Sequence, residues 1–211
     1  MKINVLVQKD SWIMPYALKL KTFLDGSGHI VRLITDHNKI LAADVTVILS
    51  YQKILPKHIL NLSKHNIVVH ESALPQGKGW SPLTWQILEG KNEIPVALFE
   101  ASEKVDAGPI YYTGTIKLDG TELLKDIRKK QGKETVRLVK KFLTDYPCVS
   151  GTPQHGKESF YSRRRPEDSE LDIDATLREQ FNLLRAVDNK RYPAFFYHLG
   201  KKYIIKIYEG R

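Results

Sequence analysis

The sequence predicts an α/β fold, with a Rossmann-like, doubly wound and mostly parallel sheet followed by a small C-terminal α+β tail. Short β-rich runs alternate with segments of helical periodicity, which is the pattern of parallel βαβ units. A Pro- and Gly-rich stretch then separates these units from a last helix and β-hairpin. With 211 residues, 42% of them hydrophobic, the chain is long enough to bury a core. We therefore expect a catalytic core at 1–146, a connector at 147–161 and an extension at 162–211.

The first third of the chain has the pattern of consecutive βα units. β-rich runs bounded by turn residues predict strands at 2–8, 29–35, 44–50 and 66–70. Apolar residues at helical spacing predict helices at 14–24 and 57–62. No Gly-x-Gly-x-x-Gly or Walker sequence accompanies these strands, so a dinucleotide or ATP site has no support in the sequence.

The later elements follow from the same periodicities. A long amphipathic helix follows an acidic cap at 119–122, and Gly132 is expected to kink or divide it. Ser81 is expected to cap a helix that has Pro82 in its first turn. The remaining predicted elements are helices at 80–90 and 175–187 and strands at 94–101, 109–117, 194–199 and 202–208.

The formal charge of +9 and the pI near 9.4 raise the question of a nucleic-acid partner, since clustered Lys and Arg bind phosphates. Acids are interspersed among these basic residues, which favours attraction for anionic small molecules such as nucleotides and folates. We expect a cytoplasmic protein without membrane association, because no apolar run approaches the roughly 20 residues that span a bilayer and no secretion signal is evident. The single cysteine, Cys148, cannot form an internal disulfide, and no Cys/His spacing predicts a metal site.

His70 and Asp106 are the candidate catalytic residues. His70 follows an apolar strand and precedes a loop with one proline and two glycines, so we expect it where a buried strand meets solvent. Asp106 lies in a turn before the next β-rich run. A carboxylate can fix the tautomer of a histidine and tune its pKa, which makes the two side chains a candidate proton-transfer pair. Taken alone, each residue is also compatible with a packing or surface role.

The stretch from His70 to Asp106 resembles the formyltransferase family, whose members take a formyl group from 10-formyltetrahydrofolate. In that family Asn-x-His precedes Ser-Leu-Leu-Pro and a Gly-rich loop, followed by a helix that ends in Gly and then by Asp-x-Gly. The separation of 36 residues between His70 and Asp106 also fits the family. The counterparts here are Val68-Val69-His70, Ser72-Ala73-Leu74-Pro75, Gly77 to Gly79, Leu88-Glu89-Gly90 and Asp106-Ala107-Gly108.

The resemblance implies the formyltransferase fold, 10-formyltetrahydrofolate as co-substrate and no metal. It implies that His70 hydrogen-bonds or protonates near the oxygen that gains charge, and that Asp106 orients His70 or accepts the proton of the amine. By the same resemblance, folate contacts are expected from Tyr51, Ile54, Leu55, Pro56, Val105 and Gly108. Contacts with the acceptor substrate are expected from Ser72, Leu74, Pro75, Gln76, Gly77, Lys78, Gly79 and Trp80. The loop 50–56 is equally compatible with an ordinary turn before a helix, and Trp80 with a packing residue.

The sequence departs from the family pattern at Val68, where the family has an asparagine whose amide donates to the formyl oxygen. Removing one such donor costs on the order of 10²–10³ in rate in other enzymes. Asn66 is on the same strand face but about 13 Å from His70 along an extended strand. Ser72, Gln76 or a backbone amide of the glycine loop are the candidate replacements, and the sequence does not choose among them.

The tail resembles that of formyltransferases that act on nucleotide-linked amino sugars. The matching residues are Arg-Arg-x-Pro-Glu-Asp at 163–168, Leu-Arg-Ala at 184–186 and Tyr-Pro-Ala-Phe at 192–195. The Arg triplet is able to clamp a diphosphate or to form a solvated turn. The further β-rich domain with which methionyl-tRNA formyltransferases hold tRNA is not expected in this sequence.

The preferred hypothesis is therefore N-formylation of an amino sugar linked to a nucleotide. Formylation of glycinamide ribonucleotide, a folate-binding module that has lost catalysis, and an RNA-binding surface are the alternatives. The hairpin tail is expected to be able to pair two copies of the chain across a two-fold axis. The sequence does not indicate which sugar or which base the substrate carries.

Overall fold

The computed structural model describes residues 1–210 and confirms the α/β prediction. Arg211, the last residue of the predicted extension, lies outside the described residues. Six strands form the central sheet, in the order β2-β1-β3-β4-β6-β7. The strands of this sheet are β1 (Lys2–Val7), β2 (Ile30–Ile34), β3 (Ala43–Leu49), β4 (Ser63–His70), β6 (Glu93–Glu100) and β7 (Ile110–Lys117). The short strand β5 (Lys78–Gly79) lies outside it.

The first four strands of this order run parallel. β6 pairs antiparallel with β4, and β7 pairs antiparallel with β6. Parallel strands require a crossover connection, and the helices between them supply it. The register pairs His70, at the end of β4, with Ala97 of β6. His70 therefore lies at the carboxyl edge of the parallel strands, where α/β sheets bind their ligands.

Helices cover both faces of the sheet. They are α1 (Met14–Gly26), α2 (Lys57–Leu60), α3 (Pro82–Leu88), α4 (Leu124–Asp145) and α5 (Phe181–Ala186). The larger core packs α1 and α4 against one face, and Ile67 of β4 belongs to it. The smaller core packs Ile59 of α2 against the other face, where Val68 joins it. Because side chains alternate along a strand, His70 shares the α2 face with Val68.

Gly132 does not divide α4, which is one continuous helix of 22 residues. A Cβ on Gly132 would lie 2.5 Å from the ring of Tyr16, on α1. The glycine therefore allows α1 and α4 to approach closely, and the prediction that it breaks the helix was wrong. Packing, rather than helix propensity, explains its position.

Two predictions about helix ends and lengths were also wrong. The helix expected at 175–187 contains only residues 181–186, because polar side chains take the backbone groups before it. The Gln180 amide donates to the carbonyls of Asp172 and Ala175, and the Glu179 carboxylate accepts from the Thr176 amide. Such side-chain bonds stabilise turns in competition with a helix. Ser81 precedes α3 in a left-handed conformation, with φ 49°, and its side chain makes no capping bond.

The segment after α4 packs back onto the sheet. Thr152 bridges Ile110 at the start of β7, and β8 (Phe160–Tyr161) pairs with β5. In the tail, α5 packs on α3, and Ala186 belongs to the larger core. The hairpin of β9 (Ala194–His198) and β10 (Lys201–Ile205) follows. The boundaries at 146 and 161, and pairing of the hairpin in a homodimer, remain predictions.

None of the helices in residues 1–210 combines the length and apolarity needed to cross a membrane.

Candidate active site

His70 is held at the end of β4 by the glycine loop that follows it. Its side chain is 9% exposed, and its Nε2 lies 2.8 Å from the carbonyl oxygen of Gly77. A carbonyl only accepts hydrogen bonds, so Nε2 must carry the hydrogen in this arrangement. The loop therefore fixes both the ring orientation of His70 and the position of its proton.

Asp106 reaches the same point from the loop between β6 and β7. Its Oδ2 lies 3.7 Å from His70 Nε2 and accepts a hydrogen bond of 2.8 Å from the amide of Gly79. The backbone of Asp106 is left-handed, with φ 47°, a conformation that L-residues rarely adopt. The fold thus brings together an imidazole and a carboxylate that are 36 residues apart in the sequence.

A strap formed by residues 151–161 fixes the glycine loop. The Ser159 hydroxyl accepts from the Gly77 amide, and the Ser159 carbonyl accepts from the Lys78 amide, both at 2.9 Å. Gly79 has a φ of +95°, and a Cβ there would lie 2.6 Å from the Tyr161 carbonyl oxygen. Only glycine fits so close an approach, which explains the residue type in this loop.

Gln154 of the strap supports the loop that carries Asp106. Its side-chain amide donates to the carbonyl oxygens of Asp106 and Gly108, at 2.9 and 2.8 Å. Its own Oε1 is buried and has no hydrogen-bond partner among the described residues. The two hydrogen bonds therefore hold the loop at Asp106, the residue with the left-handed backbone. Gln154 was not predicted as a site residue, because nothing in the composition of a Pro/Gly-rich connector marks it.

Glu71, the next residue after His70, points to the opposite face of the sheet and was also missed. The Gln131 side chain of α4 donates to its carboxylate at 2.7 Å. Burial raises the pKa of the Glu71 carboxyl, against the opposing influence of that hydrogen bond and of His70. A carboxyl group with a raised pKa therefore lies directly behind the candidate catalytic histidine.

The position of the absent family asparagine is filled by apolar packing. Val68 packs against the small core and against Leu74 of the neighbouring cluster. Asn66 is turned away, because its side-chain amide donates to the Leu60 carbonyl. Ser72 is 2% exposed, and its hydroxyl has no hydrogen-bond partner among the described residues. Of the replacements considered, Gln76 is exposed, whereas Ser72 offers a buried donor that no other group uses.

The residues expected to contact folate form two groups in the structure. Leu55 is buried in the small core and Pro56 directly precedes α2, whereas Ile54 is 56% exposed. The Tyr51 hydroxyl lies 2.8 Å from Nδ1 of His37. No backbone amide or carbonyl of 52–55 pairs with another backbone group in residues 1–210. Val105 and Gly108 flank Asp106, the former exposed and the latter packed on the Glu100 carbonyl.

The residues expected to contact the acceptor do not form one surface. Leu74 belongs to the apolar cluster beside Val68, and Pro75 is buried next to it. Lys78 is 2% exposed and pairs with the Glu158 carboxylate of the strap at 2.5 Å. Trp80 is 37% exposed, and the Arg163 guanidinium stacks on its ring. Gly77 and Gly79 are thus the members that contact His70 and Asp106 directly. No cluster of three or more metal-ligating side chains occurs within residues 1–210.

A curated relative of this chain is methionyl-tRNA formyltransferase from Sulfurihydrogenibium sp. (strain YO3AOP1). The two are 29% identical over 153 residues, which are 71% of this chain and 49% of the relative. The chain therefore spans about half the length of this relative.

Several solved structures share the fold. Methionyl-tRNA formyltransferase from Clostridium thermocellum superposes with a TM-score of 0.85 at 22% identity, covering 100% of this chain and 94% of its own. A sugar N-formyltransferase from Shewanella sp. FDAARGOS_354 gives 0.74 at 16% identity, covering 98% and 97%. HypX from Aquifex aeolicus in complex with tetrahydrofolic acid gives 0.79 at 18% identity, covering 98% of this chain and 37% of HypX. At these identities the similarity establishes the fold alone.

The sequence of the chain also matches a family description directly. The formyl transferase family model matches residues 14–141, which are more than half of the chain. The matched segment begins with α1 and includes the glycine loop, His70 and Asp106. The protein is therefore a member of the formyl transferase family.

Proposed function

We propose that the protein transfers a formyl group from 10-formyltetrahydrofolate to the amine of a nucleotide-linked amino sugar. The observation that carries the proposal is the distance of 3.7 Å between His70 Nε2 and Asp106 Oδ2, inside the segment that matches the family. Bound 10-formyltetrahydrofolate would supply the formyl carbon. The amine nitrogen forms a bond to this carbon, the bond between the carbon and the tetrahydrofolate nitrogen breaks, and the proton lost by the amine passes to the tetrahydrofolate nitrogen.

In this proposal His70 donates from Nε2 to the oxygen that gains charge when an amine attacks, and that oxygen replaces the Gly77 carbonyl as the acceptor. The Gly77 carbonyl holds the proton of His70 on Nε2, which is the nitrogen nearest Asp106. A donor already oriented in a partly buried site stabilises developing charge without the cost of reorganisation. The neighbouring carboxylate would stabilise the imidazole further if it gained a second proton.

Asp106 is the acceptor for the proton that the amine must lose. Its Oδ2 already accepts a hydrogen bond from the Gly79 amide. The Oδ1 atom makes no hydrogen bond within residues 1–210, so a carboxylate oxygen remains for the amine or for a water molecule. The Gly79 amide and the Gln154 side chain set the position of this carboxylate from two directions.

Ser72 is the candidate for the second donor, in place of the family asparagine. A buried hydroxyl without a partner is costly, and such groups in native proteins call for an explanation. A substrate oxygen that accepts from Ser72 would satisfy the hydroxyl. Val68 cannot provide this bond, because its side chain has no donor.

Residues 50–56 and 105–108 fit a folate. A pterin needs paired backbone donors and acceptors beside an apolar wall. The unpaired backbone groups of 52–55 provide the first, and Leu55 with Val68 provides the second. The HypX complex, a protein of the same fold, holds tetrahydrofolic acid. No metal is required by this chemistry.

The amino sugar is proposed from the tail resemblance and from the fold shared with the Shewanella sugar N-formyltransferase. Methionyl-tRNA is the second candidate acceptor, because the curated relative that is 29% identical to this chain is a methionyl-tRNA formyltransferase. The basic composition is compatible with either anionic acceptor. We place the reaction in the cytoplasm.

The proposal is tested by incubating the full chain with 10-formyltetrahydrofolate and separate acceptors, followed by mass spectrometry. The acceptors are a panel of nucleotide-linked amino sugars, glycinamide ribonucleotide and methionyl-tRNA. We expect the mass gain of one formyl group on an amino-sugar nucleotide only. Loss of a general acid or base typically costs about 10²–10⁴ in rate, and we expect this for His70→Ala and Asp106→Asn.

Matched controls are His198→Ala and Asp174→Asn, which change exposed residues of the same types and should keep the wild-type rate. Transfer to glycinamide ribonucleotide or methionyl-tRNA alone would overturn the amino-sugar assignment. Binding of tetrahydrofolate without transfer to any acceptor would indicate a folate-binding module instead.

A further inference from the structure

One cavity of the protein is lined by residues 162–166, Asp168 and Tyr192. We call it the arginine cavity, because Arg163, Arg164 and Arg165 lie along it. Its volume is about 650 Å³, which is within the range of small-molecule sites.

The three arginines of the arginine cavity outnumber the one carboxylate that lines it, that of Asp168. Arginine ion pairs elsewhere in residues 1–210 involve Arg128, Arg137 and Arg185. No carboxylate pairs with the Arg triplet in the same residues. Arg164 instead donates to two neutral oxygens, the Asp168 carbonyl and the Ser169 hydroxyl. The Asp168 carboxylate, which also lines the cavity, accepts from the Arg165 backbone amide.

Stacking on tryptophans explains how these like charges are held together. The Arg163 guanidinium lies 4.8 Å from the ring centre of Trp80, and Arg164 lies 5.9 Å from that of Trp85. A hydrogen bond of 2.9 Å from the Trp85 indole to the Ser162 carbonyl fixes the segment on α3. Contact through the guanidinium face leaves the N–H groups at its edge available for a ligand.

Part of this charge is also costly to hold without a counter-ion. The Nε of Arg164 is buried and has no hydrogen-bond partner in residues 1–210. Burial lowers the pKa of the Arg164 guanidinium, although the nearby Asp168 opposes this. The larger cavity of about 820 Å³ between α1, α4 and the tail differs in this respect, because there Arg128 pairs with Asp188.

A series of contacts connects the arginine cavity to Asp106. Asp106 contacts the Gly79 amide, Trp80 follows Gly79, and Arg163 stacks on Trp80. This series of contacts limits the distance between the Asp106 carboxylate and the Arg163 guanidinium to at most roughly 17 Å.

We propose that the arginine cavity binds the diphosphate of the acceptor substrate, with Arg163 and Arg165 donating to its oxygens. This proposal rests on the proposed function for the identity of the acceptor, but not for anion binding itself. Arginine forks match phosphate oxygens in bidentate pairs, which a lysine does not reproduce. Stacking on Trp80 keeps the Arg163 fork in place before the ligand arrives.

The test uses inorganic pyrophosphate as the probe, in isothermal titration calorimetry at constant ionic strength and without formyl donor. We expect Arg163→Gln/Arg165→Gln to weaken pyrophosphate binding about tenfold or more. The control Lys19→Gln/Arg178→Gln removes the same charge at exposed positions and should bind as the wild type does. Arg163→Lys should bind more weakly than wild type despite its equal charge.

A second measurement does not depend on calorimetry. Pyrophosphate should change the fluorescence of the wild type, and this change should be lost in Trp80→Phe. Equal pyrophosphate affinity in wild type and Arg163→Gln/Arg165→Gln, or equal weakening by the control, would overturn the site. Binding of RNA with a steep salt dependence but no measurable affinity for pyrophosphate would overturn it as well.

The kinetics separate this proposal from the proposed function. Pyrophosphate should inhibit formyl transfer competitively against the amino-sugar nucleotide and not against the formyl donor. Transfer that pyrophosphate does not inhibit would overturn the arginine site and leave the proposed function standing. Specific pyrophosphate binding in a protein that formylates no acceptor would overturn the proposed function and leave the anion site standing.

Discussion

The close approach of Gly79 to the strap can be tested by comparing Gly79→Ala with Gly90→Ala. Both glycines have positive φ, +95° and +84°, so an alanine at either position suffers backbone strain of about 1–2 kcal/mol. A Cβ at Gly90 would meet nothing within 4 Å, whereas one at Gly79 would lie 2.6 Å from the Tyr161 carbonyl oxygen. The difference between the two variants therefore isolates the contact with the strap.

Relief of that contact requires β5 and β8 to separate. Two backbone hydrogen bonds join them here, from Lys78 to Ser159 and from Trp80 to Tyr161, at 2.9 and 3.1 Å. At about 1 kcal/mol each, their loss should make Gly79→Ala about 2 kcal/mol less stable than Gly90→Ala. The Gly79 amide also holds Asp106, so the rate of formyl transfer should fall about tenfold or more in Gly79→Ala alone.

Urea denaturation of both variants measures the stability difference, and transfer assays at saturating acceptor measure the rate. Equal free energies of unfolding in Gly79→Ala and Gly90→Ala would refute the packing argument. An unchanged rate in a Gly79→Ala protein that is destabilised would refute the link between the strap and Asp106.

Three further variants test other parts of the structure. Because the pKa of Glu71 is raised, the folded state binds the Glu71 proton more tightly than the unfolded state does, and stability is lost as pH rises through the folded-state pKa. Glu71→Gln should remove this loss, which urea denaturation at pH 5 and pH 8 measures. An unchanged pH dependence in Glu71→Gln would contradict the prediction. Gln154→Ala removes two bonds of about 1 kcal/mol each and should lower kcat about 5- to 30-fold with little change in KM, whereas a change in KM alone would argue against a positioning role for Asp106. Arg185 is 1% exposed and donates to two asparagine side chains, so Arg185→Leu should lower the free energy of unfolding by about 2–4 kcal/mol. Arg178→Leu, at an exposed position, should change it by less than about 0.5 kcal/mol. Equal effects of the two variants in urea denaturation would contradict a structural role for Arg185.

The sequence was sufficient to predict the sheet, because burial imposes a local pattern on its strands. The run at 44–50 contains four apolar residues, Val45, Val47, Ile48 and Leu49, which alternate onto both faces of a strand, and it became β3. The prediction of a helix at 175–187 was wrong for a reason that is also local. Whether Gln180 bonds to the backbone before it or leaves that backbone to a helix is a balance of small energies.

Within the candidate site, the sequence pointed to the residues that resemble a family motif and missed those that support them. His70 and Asp106 lie in such a motif. Gln154 acts across 48 residues on the Asp106 carbonyl and belongs to a segment without periodicity. Glu71 carries no signal of its own, since its pKa depends on burial behind β4. Long-range contacts of this kind follow from the fold and not from spacing.

The joint action of His70 and Asp106 is the claim on which the account depends, and a double-mutant cycle on the transfer rate tests it most directly. His70→Ala, Asp106→Asn and the combined variant are compared with wild type in single-turnover formyl transfer. Residues that act as a unit have strongly non-additive effects, so the combined variant should be about as slow as the slower single variant. A combined variant whose loss equals the product of the two single losses would show that the side chains act independently and would contradict the account.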